Sequence, residues 1–220
     1  MAGDSEPPEG AGPLGPVPTA ERPEGPHSAD PGLPEEVLSA CLACIDYAER
    51  STGIRLDFES ETLPILDHYA TLAGKKFSPR VELEPLVALA IGAYFGEVVR
   101  RKLGGFWLTS GSVHDWRLCL RPVFLSLNPI GAAYDALHRG QSHHGPRSHL
   151  LVAHEDSEWV ERRLASVPPT PLEDFYLLAT RMEAIEVAVE ALRARMVLQG
   201  YEEVVYEAED YLAEMSTRPL

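Results

Sequence analysis

Long apolar runs, cysteine and positive charge are all scarce in this chain of 220 residues. No stretch reaches the roughly 18 apolar residues that a membrane-spanning helix needs. The first residues are acidic and rich in proline and glycine. They lack the apolar segment of a secretory leader, so no signal peptide is expected. The 3 cysteines are few and odd in number, which argues against a disulfide framework and for a reducing cytoplasm. Lys and Arg total 19 against 34 Asp and Glu, a formal charge of −15. Such a surface repels phosphates, so neither nucleic acid nor membrane is expected as a partner. There is no GxGxxG, Walker A, GxSxG, EF-hand loop or HExxH. Hydrophobic residues still make up 45%, enough for one core.

Charge is unevenly spread. Residues 1–33, 34–74 and 148–220 are acidic, and residues 75–147 are basic. Either the acidic segments neutralise the basic middle within the fold, or they offer an acidic surface to a basic partner.

Residues 1–33 hold Pro, Gly, Glu and Ala with almost no large apolar groups. Such a segment cannot bury enough surface to offset its ordering entropy, so it is expected to be a disordered tail. One domain is expected over 34–220. Pro34-Glu35-Glu36 opens a first helix, with Leu38, Cys41, Leu42 and Ile45 on one face and Gly53 past its end. Ser60 caps a second helix carrying Leu63, Leu66, Tyr69, Ala70 and Ala73, which Gly74 stops. The third, Pro85 to Lys102, is apolar nearly all round except for Glu97, as a central core helix should be. Its Gly92 and Gly96 share a side where another backbone can approach.

The period then changes. Phe106 to Thr109, Trp116 to Arg121, Val123 to Leu127 and Leu150 to Val152 read as short strands, the second half-buried by its alternation. Asn128-Pro129 opens a short helix to Arg139. Ser157 caps another through Ala165. Thr170-Pro171-Leu172-Glu173 is a capping box for the C-terminal helix. Phe175, Leu178, Met182, Ile185, Val189, Leu192 and Met196 follow as an unbroken heptad seam. Gly200 breaks it, and a last amphipathic helix from Tyr201 to Met215 should fold back as a hairpin. The core with its sheet is thus expected over 34–169 and the hairpin over 170–216. The seam either packs on its own domain or forms an interface. A helix of about 30 residues would be about 45 Å long, which keeps a homodimer in view.

Cys41-Leu42-Ala43-Cys44 lies inside a helix with no preceding strand, so its cysteines read as core residues and not as a redox pair. His138, His143, His144, His149 and His154 cluster in a loop that reads as flexible and exposed. No carboxylate or cysteine sits at a ligand spacing beside them, so no metal and no cofactor are expected. Glu97 is the one charge on the apolar helix. A buried carboxylate must be paired or protonated. It either pairs with Arg101 or orients a ligand in a pocket with Tyr94, Arg101, Trp107, His114, Trp116 and Arg117.

Ile91-Gly92-Ala93-Tyr94-Phe95-Gly96-Glu97-Val98-Val99-Arg100-Arg101, then Gly104-Gly105-Phe106-Trp107, resembles uncharacterised bacterial domains. Their core reads AYxGE…R…GGxW, with an NP turn downstream, here Asn128-Pro129-Ile130-Gly131. The resemblance covers roughly residues 54–140 and bears on fold more than activity. Some of those domains resemble small proteins encoded near toxin or secretion loci, which implies a binding role. Wealth in Arg, Ala, Gly and Pro resembles the composition of a high-GC bacterium.

The expectation is therefore an α+β, helix-dominated domain with a small antiparallel sheet packed on a central apolar helix. The expected role is a non-catalytic interaction protein that uses an acidic helical surface. The alternatives are a ligand-binding protein or enzyme with a Glu97-centred pocket, and an immunity-type inhibitor of a toxin.

Overall fold

The computed structural model describes residues 33–77, 81–201 and 204–217. The expected tail lies outside them but for Leu33. The fold is α+β and dominated by helix, as the periodicity implied.

Helix α1 (Glu35–Thr52) starts behind Pro34 with Glu35 and Glu36 in its first turn. It ends at Gly53, whose φ of +76° suits glycine and whose N–H reaches Glu49 O. Its buried face carries Val37, Cys41, Cys44, Ile45 and Ala48, while the expected Leu42 is exposed. Burial pushes the thiols of Cys41 and Cys44 up, as inert core cysteines require.

Helix α2 (Leu63–Phe77) buries Leu63, Leu66, Tyr69, Ala70 and Ala73. Gly74 does not stop it. A Cβ there would lie 2.8 Å from Leu137 O, so Gly74 is a point of close approach within the helix.

Helix α3 (Glu84–Leu103) is the centre, buried almost continuously from Val87 to Val99 and packed against α1. Gly92 admits another backbone, as the spacing implied, whereas Gly96 admits a side chain instead. A Cβ on Gly92 would lie 2.7 Å from Ile130 Cα, and one on Gly96 would lie 2.3 Å from the Trp107 ring. Helix α4 (Pro129–His138) fits into that groove. Its cap is Asn128, whose Oδ1 accepts from Gly131 N–H at 2.8 Å.

Four strands, β1 (Gly105–Leu108), β2 (Arg117–Leu120), β3 (Leu125–Leu127) and β4 (Leu150–Val152), form an antiparallel sheet in that order. The register aligns Trp107, Leu118, Leu127 and Leu150 in one row. That row belongs to the main core with α3. Strand β2 is buried on both faces, not on one. The cause is helix α7 (Ala208–Thr217), whose Tyr211 enters a second cluster with Phe106, Cys119 and Phe124. The Tyr211 hydroxyl sits 2.6 Å from Leu120 O and accepts Leu125 N–H at 3.0 Å.

Helix α5 (His154–Ala165) begins three residues before the expected Ser157 and packs on α6 (Leu178–Gln199). Two expectations for the C-terminus fail. Helix α6 has 22 residues and starts at Leu178, not at the Thr170 box. Its cap comes from α2, where the Asp67 carboxylate accepts the N–H groups of Leu178 (2.6 Å) and Ala179 (3.1 Å). The hairpin is absent as well. Tyr206 N–H bonds Arg121 O at 2.9 Å, which sends the chain to the sheet and leaves α7 and α6 almost out of contact.

Candidate functional site

The residues singled out around Glu97 do not line one pocket. Tyr94, Glu97 and Arg101 do meet. Glu97 is 0% exposed, and its carboxylate accepts Arg100 Nε at 2.7 Å and Arg101 Nε at 2.8 Å. The Tyr94 hydroxyl accepts Phe58 N–H at 2.6 Å, and the Tyr94 ring stacks on Phe58. The Arg101 guanidinium lies 3.9 Å from the centre of the same Phe58 ring. Phe58 has a φ of +68°, a conformation that costs a bulky residue energy. This knot therefore pins the 54–62 segment to α3. The other four go elsewhere. Trp107 packs on Gly96, and Trp116 is buried. His114 is exposed, with its ring edge toward Tyr134. Arg117 is buried with Nε and Nη1 unpartnered, and burial lowers its pKa.

The heptad seam is also accounted for. Leu178, Met182, Ile185, Val189 and Leu192 are buried in the chain's own core, and Met196 packs at its edge. They have no free face for a partner. Phe175 precedes the helix and is 50% exposed.

The concave feature that stands out is a cleft of about 760 Å³. Its apolar walls come from Phe95 on α3, Leu127 and Leu150 on the sheet, Leu164 at the end of α5, and Ile185 on α6. Val167 to Thr170 and Phe175, from the connection between α5 and α6, also border it. Pro168, Pro169 and Pro171 keep that connection from extending either helix.

One wall is polar. Asp135 on α4 gathers three donors: the Ser148 hydroxyl, His143 Nε2 at 3.0 Å and Arg181 Nη2 at 3.0 Å. Arg181 Nη1 also donates to Ser148 Oγ at 2.7 Å. His143 stacks between Tyr134 and His138, and His138 Nε2 lies 3.0 Å from Glu84. So the histidine loop is not simply an exposed one. His143 is an anchor whose partners, Asp135 and Tyr134, sit on the preceding helix. The Ser148 hydroxyl donates to the Asp135 carboxylate and accepts from Arg181, so it links the two.

His149 lines the cleft next to Ser148. Its Nδ1 lies 3.2 Å from Arg147 O, and a carbonyl only accepts, so Nδ1 carries the proton. Its Nε2 has no partner, and neither does Arg181 Nε; both atoms are buried. Burial first, and then the Arg117 charge, hold the His149 pKa below its ordinary value.

Among the described residues, no group of three His, Cys, Asp or Glu could hold a metal, and no helix is long and apolar enough to cross a membrane. Sequence reasoning missed Arg181, Ser148 and Asp135 as a set. The one local signal was the run of prolines after α5. Comparison of the chain with family models, with curated proteins and with solved structures found no match.

Proposed function

We propose that this chain is a non-catalytic binding module, and that its working site is the cleft beneath the α5–α6 connection. The supporting observation is the cleft itself. A cavity of about 760 Å³ with apolar walls and one polar side has the size and chemistry of a site for a small, mostly apolar ligand. Neutral N-phenyl-1-naphthylamine is a direct probe. It should bind saturably, with a fluorescence rise that Ala184→Trp, which fills the cleft, abolishes without unfolding the protein. A linear, unsaturable signal unaffected by Ala184→Trp overturns the reading.

A second reading is protein interaction through the acidic helical surface, with a basic partner or a second copy. A separate observation favours the second copy. Val197, Leu198, Tyr201 and Val205 are exposed around the end of α6, Leu198 at 75%. Surfaces seldom leave such groups clustered without use. Light scattering should find a concentration-dependent dimer that Leu198→Glu returns to monomer. A monomer at every concentration removes the dimer.

A further inference from the structure

The connection between α5 and α6 contains Val167-Pro168-Pro169-Thr170-Pro171-Leu172. Its own covalent bonds restrict its shape. A proline ring holds φ at about −65°, the value of a polyproline helix. The ring also pushes the residue before it out of the helical region into extended backbone. Pro168, Pro169 and Pro171 obey the first rule. Val167, Pro168 and Thr170 each precede a proline and obey the second. Residues 168–171 accordingly lie in no helix, strand or turn.

This strip faces solvent. Every residue from 165 to 173 is exposed, Leu172 at 77%. Val167 to Thr170 border the cleft and are exposed nonetheless. Among the described residues, no hydrogen bond uses the carbonyls of Val167, Pro168, Pro169 or Thr170. The two ends are held. Val167 N–H bonds Leu164 O at 3.2 Å, and Pro171 O accepts the N–H groups of Asp174 and Phe175 at 3.0 and 3.1 Å. Arg139 Nη1 fastens Glu173 O just beyond. A segment fixed in this way loses little conformational freedom when a partner takes it up.

We propose that the strip is a recognition segment for a partner domain whose groove is lined by aromatic rings and reads polyproline backbone. A polyproline helix has about three residues per turn, so Val167-Pro168 and Thr170-Pro171 repeat after one turn on the same ridge. Each pairs a side chain with a proline ring, and such units fill the slots between aromatic rings. The unengaged carbonyls accept from the Trp N–H and Tyr O–H groups that line such slots. Leu172 extends the apolar surface past the second unit. Recognition of the strip requires nothing in the cleft.

The test titrates isotope-labelled SH3 and WW domains with the full chain and follows the indole N–H resonance of the groove tryptophan. With at least one of the two domains that resonance should shift saturably. Pro168→Ala and Pro171→Ala should each weaken binding about tenfold. Pro169→Ala, off that ridge, should weaken it by less than about threefold. Circular dichroism checks that the three variants stay folded, and the unequal pattern is one that general loss of fold would not give. The N-terminal segment holds the same spacing in Pro13-Leu14-Gly15-Pro16. A shift that survives Pro168→Ala combined with Pro171→Ala therefore belongs to that segment and overturns the proposal. The absence of any saturable shift with either domain overturns it too. So does equal weakening by all three substitutions, which has no polyproline register.

Discussion

Glu97 and Asp135 each hold two or more cations or donors, and they are built in opposite ways. Glu97 takes Arg100 and Arg101 from its own helix, three and four residues on, and is sealed from water. Asp135 takes Ser148, His143 and Arg181 from two loop positions and another helix, up to 46 residues away. The first fastens a strained segment to α3. The second holds Ser148 and Arg181, which line a cleft. A local knot needs only one helix to form, so it fits a structural role. A knot assembled from distant pieces exists only once the cleft exists, so its integrity reports on the site.

Substitutions can break this contrast. Glu97→Ala should be the most destructive, because it removes the sealed carboxylate that two guanidinium groups share. Removing one partner of a buried pair costs about 3–5 kcal/mol. The loss should fall toward the lower end, since the Arg101 side chain is 35% exposed and can turn to water. Urea unfolding reads it, and probe binding by the fraction still folded should stay unchanged. Asp135→Ala should cost less, about 1–3 kcal/mol, because its partners keep some access to solvent. Here binding should fall more than stability does, as Arg181 loses its orientation. Equal effects of the two substitutions on binding by folded protein would erase the distinction.

The sequence carries the first kind of construction far better than the second. The apolar stretch of α3, the four strands, the Asn128 cap and the close approaches at Gly92 and Gly96 all depend on residues within a turn or two of each other. Glu97 was legible for the same reason, and its pairing with Arg101 was one of the alternatives its spacing offered. The errors lie where a distant group overrides a local signal. The Thr170 box is a sound helix start by propensity, but Asp67, 111 residues before Leu178, caps the helix further on. Alternation in Trp116 to Arg121 marks one buried face, but it cannot reveal that Tyr211 will cover the other. The cleft was invisible because Phe95, Leu127, His149 and Arg181 share no period. Only the prolines at 168, 169 and 171 hinted that a connection there would be held off the helices.

The cap on α6 has a mechanical consequence. The segment roofing the cleft is fastened along its C-terminal edge: Arg139 Nη1 donates to Glu173 O at 3.0 Å, the Tyr176 ring lies where a side chain on Gly140 would go, and Asp67 grips Leu178 and Ala179. Its opposite edge, from Val167 to Leu172, is exposed. The roof is thus a flap hung from one side. Admission of a guest would lift the proline-bearing edge, with α2 and α4 serving as the door frame.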